Sequence, residues 1–309
     1  MTRPLRMIIV GMGLQGRKRL SVARDEVVAT VSPIDADYPS VEQVPLDAFE
    51  AALVCTPDET KVGLLTYLLS HGKHVLVEKP LLASERELAA LQQLARAGQA
   101  ACYTAYNHRF EPNLVRLKEA LDAHAIGRVY LGRLSYGNGT ALDVKRSSWR
   151  DQGMGVLADL GSHLLDLVLW FFGQPEERFE LWSLNRFENN APDHALVGST
   201  GTPRLALETS MVSWRNTFTV DVYGERGSVH VDGLCKWGPS AFILRTRVLP
   251  SGKPLEERQV LERQDPTWEL EYAHFKQLCA AGETTLEKDL WINRVLHEVW
   301  RQVAEAVPA

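Results

Sequence analysis

The sequence predicts an α/β fold in two parts. A parallel sheet flanked by helices occupies residues 1–120, and a C-terminal α+β domain, residues 121–309, is built on a large open, mainly antiparallel sheet. Three observations predict this. Over the first hundred residues, short apolar runs alternate with helix-like segments, the rhythm of strand–helix–strand units with right-handed crossovers. A glycine-rich turn follows the first apolar run directly. After about residue 120, strand-like runs separated by short turn signals replace that rhythm, as in antiparallel sheets.

The elements follow in order. "RMIIV" reads as a buried strand, "VVATV" as a second and "AALVC" as a third. "TPDETKVGLLTYLLSHG" reads as a helix with Thr56 at the N-cap, Pro57 at the first helical position, Glu59 closing a capping box and Gly72 ending it. "HVLVEKP" is a fourth strand stopped by proline. "SERELAALQQLARAG" is a helix with Ser84 and Glu87 as capping box and Gly98 as terminator, and "ACYTAY" is a fifth strand. In the second part, "RVYLGRLSYGNG", "RLALETSMVSW", "TFTVDVYG", "GSVHVDG" and "SAFILRTRVL" read as strands. Two helical runs, "DPTWELEYAHFKQLCAAG" and "TLEKDLWINRVLHEVWRQVAEA", end the chain and read as parts of this domain.

Composition bounds the function classes. With 45% apolar and 24% charged residues the chain has ample core for a soluble protein. Thirty-four Lys and Arg against 39 Asp and Glu give a net charge of −5, which offers no general attraction to nucleic acid or an anionic membrane. No apolar run approaches a membrane-spanning length, and the one near the N-terminus is too short for a signal peptide. The four cysteines, Cys55, Cys102, Cys235 and Cys279, lack paired or metal-ligand spacing, so no metal is expected. They read as reduced core residues of a cytoplasmic protein.

The first chemical signal is "GMGLQG", with Gly11, Gly13 and Gly16. Between a strand and a helix this G-x-G-x-x-G predicts a Rossmann NAD(P)-binding domain. Gly11 makes the tight turn, Gly13 lets the backbone approach a pyrophosphate, and Gly16 permits close helix packing. Leu14 and Gln15 open the helix whose N-terminus receives the phosphates. The tip of the second strand, where an acid usually holds the ribose 2′-hydroxyl, carries Ser32, with Asp35 only later. Serine leaves room for a 2′-phosphate, and Arg17 and Lys18 are within reach of one, or are ordinary surface charges. The cofactor is therefore NAD or NADP, with a slight lean to NADP.

The second signal is "LADLGSHLLDLVLW", residues 157–170, where Asp159, Ser162, His163 and Asp166 fall at i, i+3, i+4 and i+7. They form one narrow polar stripe on an otherwise apolar helix. A solvated face normally carries long charged side chains; short carboxylates and an imidazole suit the wall of a reaction cavity. "VEKP" places Glu78 and Lys79, and "AYNHRF" places Asn107, His108 and Arg109, at the carboxyl ends of neighbouring strands, where ligands bind in such sheets.

The order "GMGLQG", "CTPDE", "HVLVEKP", "YNHRF", "WRDQGMGVLADLGSHLLDLVLWFFG" and "VDVYGERGSVHVDG" resembles the Gfo/Idh/MocA family of sugar and polyol oxidoreductases over nearly the whole chain. The resemblance implies that Lys79, Asp159 and His163 line the substrate pocket beside the nicotinamide. It also implies that Thr56, Pro57, Glu78, Asn107, Trp149 and Arg150 border the cofactor, and that the Lys79–Pro80 peptide is cis. Three departures stand out: Ser32 in place of the usual acid, Lys61 where a histidine is usual, and Met154 in "GMG" where the family more often has "GGG".

Residues and resemblance together assign roles. His163, oriented by Asp159 from one helical turn away, accepts or returns the hydroxyl proton, or Lys79, which hydrogen-bonds the reacting oxygen, is the principal base. Ser162 and Asp166 continue the stripe. Arg109, Tyr136, Asn138 and Arg146 are substrate candidates by position near the motifs, and the arginines suit a phosphate or nucleotide-sugar, or else lie on the surface or on the cofactor. Trp182, Trp214 and Phe218 on sheet faces suggest a subunit interface, hence a homodimer or homotetramer. The expected function is a dehydrogenase for a sugar, cyclitol or nucleotide-sugar. The alternatives are a lyase or glycosidase with transient internal redox cycling, and an NAD(P)-binding sensor or regulator.

Overall fold

The computed structural model describes residues 4–174 and 178–306. Two compact units result: Met1–Asn107 with Thr267–Asn293, and His108–Pro266 with Arg294–Ala309.

The first unit holds a five-stranded parallel sheet of β1 (Met7–Val10), β2 (Val27–Val31), β3 (Ala51–Val54), β4 (His74–Glu78) and β5 (Cys102–Ala105), in the order β2-β1-β3-β4-β5. All four residues of β1 and of β3 are buried, because helices cover both faces. Alternate residues feed two cores. Ile8, Val10, Ala52, Val54, Val75 and Val77 pack with Leu65, Leu68, Leu88 and Leu91 of α2 (Asp58–Ser70) and α3 (Glu85–Ala97). Met7, Ile9, Leu53, Leu76 and Tyr103 pack with Tyr272, Phe275 and Leu278 of α8 (Thr267–Ala281). α1 (Leu14–Ala23) runs beside α8 on that face.

The second unit holds an eight-stranded sheet. Its strands are β6 (Val129–Gly137), β7 (Phe179–Asn185), β8 (His194–Ser199), β9 (Arg204–Ser210), β10 (Thr217–Gly224), β11 (Gly227–Asp232), β12 (Ser240–Thr246) and β13 (Leu255–Leu261), in the order β13-β12-β11-β10-β6-β9-β8-β7. Every pairing is antiparallel except β6 with β9. α4 (Pro112–Asp122) packs on β11 and β12, and α7 (Gly161–Phe172) on β6 and β9. Alternation along β9 and β10 buries every second residue, the signature of a sheet covered on one face. The edge strand β13 is exposed along nearly its whole length, and its charges discourage further strand pairing. α5 (Ala141–Lys145), α6 (Val156–Asp159) and α9 (Leu286–Ala306) complete the fold. No helix among the described residues is long and apolar enough to cross a membrane.

Four details differ from the sequence reading. The units part at Asn107/His108, not at 120, because α4 buries Leu114, Leu117 and Leu121 against strands of the larger sheet. α8 belongs to the first unit: its stripe of Tyr272, Phe275, Leu278 and Cys279 completes the second face of the parallel sheet. The capping box at Ser84 and Glu87 forms, but the one at Thr56 does not. There the helix starts at Asp58, and the Thr56 hydroxyl accepts from Thr60 Oγ1 at 2.8 Å. The helix of the polar stripe is interrupted at Leu160, which separates α6 from α7.

Candidate functional site

The glycine turn is built as its spacing requires. Gly11, at φ +95°, sits between the ends of β2 and β3, its N–H donating to Val31 O at 2.7 Å. A Cβ there would lie 2.6 Å from Cys55 O, so only glycine fits. A Cβ on Gly16 would lie 1.9 Å from Gly11 O, so the helix can approach the turn only at a glycine. Gly13 differs: a Cβ there would meet nothing within 4 Å. Nothing inside the fold demands glycine at that position, and the open space leaves room for a ligand to lie against the backbone. α1 begins directly after it with no side-chain cap and no acid in its first turn, leaving its N-terminal N–H groups for an anion. The residues present therefore fit a dinucleotide. Leu14 is exposed and Gln15 half-buried beside the turn.

Ser32 follows β2, its N–H donating to Tyr38 O at 3.0 Å. Asp37 does not substitute for a ribose-binding acid at the strand tip: its carboxylate accepts from Thr30 N and Oγ1, both at 2.8 Å. These bonds hold its pKa below the usual carboxylate range. Arg17 and Lys18 are both exposed, and Lys18 lies over the Trp268 ring, 5.2 Å from its centroid.

Glu78 is buried, and its partner is Arg19, whose Nε donates at 2.8 Å. Arg19 also pairs with Glu271 of α8 at 2.7 Å and lies 4.4 Å from the Trp268 centroid. Burial alone would lower the Arg19 pKa, but the two carboxylates outweigh it and raise it. Burial pushes the Glu271 carboxyl up to about 7 against the pull of Arg19. This cluster ties β4, α1 and α8 together beneath the glycine turn. The sequence reading missed it, since nothing in "GRKRL" distinguishes Arg19 from its neighbours except that it shares a helix face with Gly16. Lys79 is half-buried at the end of β4, and the Lys79–Pro80 peptide is cis. Asn107 Nδ2 donates to Thr267 Oγ1 at 2.8 Å.

In the second unit three members of the polar stripe are buried, Ser162 at 0%, His163 at 5% and Asp166 at 1% exposed, while Asp159 is half-buried. Its members go to different partners. Asp166 receives Arg109 in a fork, Nε to Oδ2 and Nη2 to Oδ1, each at 2.7 Å. That contact turns Arg109 into a brace between the end of the 107–110 turn and α7. Asp159 pairs with Arg150 at 3.3 Å. His163 stacks on His108, ring centroids 4.2 Å apart, and Tyr136 meets both rings at 5.7 and 5.3 Å. Burial first, and the Asp159 charge second, raise the Tyr136 hydroxyl pKa, so it stays neutral and able to donate. Lys236 Nζ approaches His108 Nε2 at 3.3 Å. The sequence reading placed His108 at a strand end without a role, and no sequence signal pointed to Lys236.

The remaining candidates spread out. Asn138 Oδ1 accepts from Thr140 N and Oγ1, a local turn rather than a free contact. Arg146 and Trp149 are exposed. Phe218, expected on an exposed sheet face, is 1% exposed and packs edge-on against His108 at 5.3 Å. Its outward neighbours in β10 are polar, so the register turns it to the core. Trp182 and Trp214 are exposed by 49% and 71%.

Comparison with known proteins agrees with this arrangement. A family model described as "Oxidoreductase family, NAD-binding Rossmann fold" matches residues 21–106, and one described as "GFO/IDH/MocA C-terminal domain" matches residues 114–230. An uncharacterized oxidoreductase of Synechocystis sp. is 26% identical over 264 residues, covering 79% of this chain and 71% of that protein. An inositol 2-dehydrogenase of Rubrobacter xylanophilus is 28% identical over 195 residues, covering 61% of this chain and 54% of that protein. The solved structure of an inositol dehydrogenase homolog from Azotobacter vinelandii, complexed with NADH and myo-inositol, superposes with a TM-score of 0.78 at 18% identity, covering 99% of this chain and 97% of that one. The chain belongs to the Gfo/Idh/MocA family of oxidoreductases, and its N-terminal part carries that family's NAD-binding Rossmann domain.

Proposed function

We propose that the chain is an NAD(P)-dependent dehydrogenase that moves a hydride between the nicotinamide and a secondary alcohol or ketone of a sugar, cyclitol or nucleotide-sugar. The observation that carries the reading is Gly13: a glycine whose absent Cβ would face open space, at the uncapped start of α1. The names of the inositol 2-dehydrogenase and of the myo-inositol complex support a polyol-like substrate.

The bound nicotinamide supplies the hydride acceptor or donor. Around it, the chain's residues bind and move protons. Gly11, Gly13, Leu14, Gln15 and Gly16 receive the pyrophosphate, while Thr56, Pro57, Glu78, Asn107, Trp149 and Arg150 border the cofactor. Lys79 hydrogen-bonds the reacting oxygen. His163 takes the hydroxyl proton in oxidation and returns it in reduction, and Asp159 stabilises its charge. Tyr136 serves the substrate; Arg109 and Asn138, already engaged, shape the wall. Arg146 is exposed and reaches only an extended substrate such as a nucleotide-sugar. Ser32 with the exposed Arg17 favours NADP over NAD. The exposed Trp182 and Trp214 support a homodimer or homotetramer.

The test is nicotinamide reduction by the purified protein, with NAD and NADP separately, across inositols, free sugars and nucleotide-sugars. The reading expects net reduction by at least one class, faster with NADP. Product formation without net reduction would replace it by internal redox cycling, and tight cofactor binding without any turnover by a sensing role.

A further inference from the structure

Position 61 carries a buried lysine. Lys61 lies in the first turn of α2 and is 2% exposed. Its Nζ donates to Asp58 Oδ1 at 2.6 Å and to the backbone carbonyl of Pro80 at 2.7 Å. Burial lowers its pKa, and Asp58 opposes the shift. An ammonium is costly to bury and persists only where its donors are satisfied. The i,i+3 partner on the same helix needs no burial to form. The contact that brings the charge inside is the carbonyl, and that carbonyl belongs to the residue directly after Lys79.

We propose that Lys61 is a positioning residue for Lys79. With three donors on one nitrogen it grips the Asp58 carboxylate and the Pro80 carbonyl together, so the start of α2 fixes the turn on which Lys79 stands. The proposal rests on the assignment of Lys79 to the reaction. The 79–81 turn has a second anchor on its far side, where Asn293 Nδ2 donates to Leu81 O at 2.8 Å and Asn293 Oδ1 accepts from Ala83 N at 3.0 Å. Those bonds hold the turn downstream of Pro80. Lys61 holds it at the residue nearest Lys79, so its loss frees the position of Lys79 without unfolding the loop.

A double-mutant cycle tests this with wild type, Lys61→Met, Lys79→Met and the double variant. Single-turnover rates of nicotinamide reduction remain readable in slow variants, and cofactor affinity is followed by fluorescence titration. Lys61→Met should lower the rate about 10–100-fold, the scale of a misplaced reacting group, with cofactor affinity nearly unchanged. In the Lys79→Met background the same substitution should cost almost nothing. Equal losses in both backgrounds would overturn the proposal and make Lys61 a structural residue only, as would a loss confined to cofactor affinity. If Lys61→Met does not fold, Asp58→Asn, which loosens the same grip, is judged by the same criterion. Failure of the underlying reading shows separately, as full activity in Lys79→Met alone.

Discussion

His108 and His163 lie ring on ring, centroids 4.2 Å apart and planes 19° apart, both buried in the second unit. Two imidazolium charges at that distance repel by roughly 4 kcal/mol at an effective dielectric near 20. The two rings are therefore not protonated together, and the pair takes at most one proton. Lys236, 3.3 Å from His108 Nε2, decides which ring receives it: an ammonium can only donate, so His108 accepts and stays neutral. His163 is the ring left open to a proton.

An NMR titration of the ring C–H signals checks this. The wild type should show a coupled pair in which His163 takes the first proton. His108→Phe should leave His163 with a simple one-step curve, and Lys236→Met should let His108 share the first proton.

The Arg109–Asp166 fork is predicted to matter for stability rather than for substrate affinity. The Asp166 side chain is 1% exposed and that of Arg109 15%. Removing one partner strands the other's charge, so Asp166→Ala should cost about 3–5 kcal/mol. Arg109→Met with Asp166→Leu together should recover most of that. Urea unfolding midpoints, at constant m-value, measure both.

Glu271 gives a pH dependence whose sign is fixed by its burial. Its folded pKa, about 7, lies above the unfolded carboxylate value. Between the two the folded chain holds a proton that the unfolded chain has lost, so stability falls as pH rises through that window and levels off above it. Glu271→Gln should flatten this part of the stability–pH curve. Thermal unfolding from about pH 4 to pH 8 reads it, on the scale of ordinary carboxylate titration.

Much of this was legible in the sequence, and the reasons differ by feature. Gly11 and Gly16 were readable because their requirement is local: a positive φ and a helix one turn away. The two sheets were readable because strand period and spacing differ between them. The owner of α8 was not, since an apolar stripe says that a helix is buried without saying against which sheet. The polar stripe was read as the wall of a reaction cavity, yet its single line of residues concealed three separate partners. Asp166 goes to Arg109, Asp159 to Arg150, and His163 to the His108 ring. Pairings between residues far apart in the chain, such as Arg19 with Glu271, leave no periodic trace.

The proposed preference for NADP rests on Ser32. Ser32→Asp would set a carboxylate where the proposed NADP would carry its 2′-phosphate. It should lower kcat/KM with NADP about 10–100-fold, given screened repulsion between like charges, with little loss for NAD. Arg17→Ala should act in the same direction more weakly. Initial rates with both cofactors give the ratio.

The central claim is that Lys79 and His163 carry proton transfer beside a bound nicotinamide. The most direct measurement is turnover of Lys79→Ala and His163→Ala with cofactor binding followed in parallel. The account predicts turnover lower by roughly 10²–10⁴ in each variant, the scale of lost acid–base catalysis, while both still bind cofactor. Full turnover in both variants would contradict it.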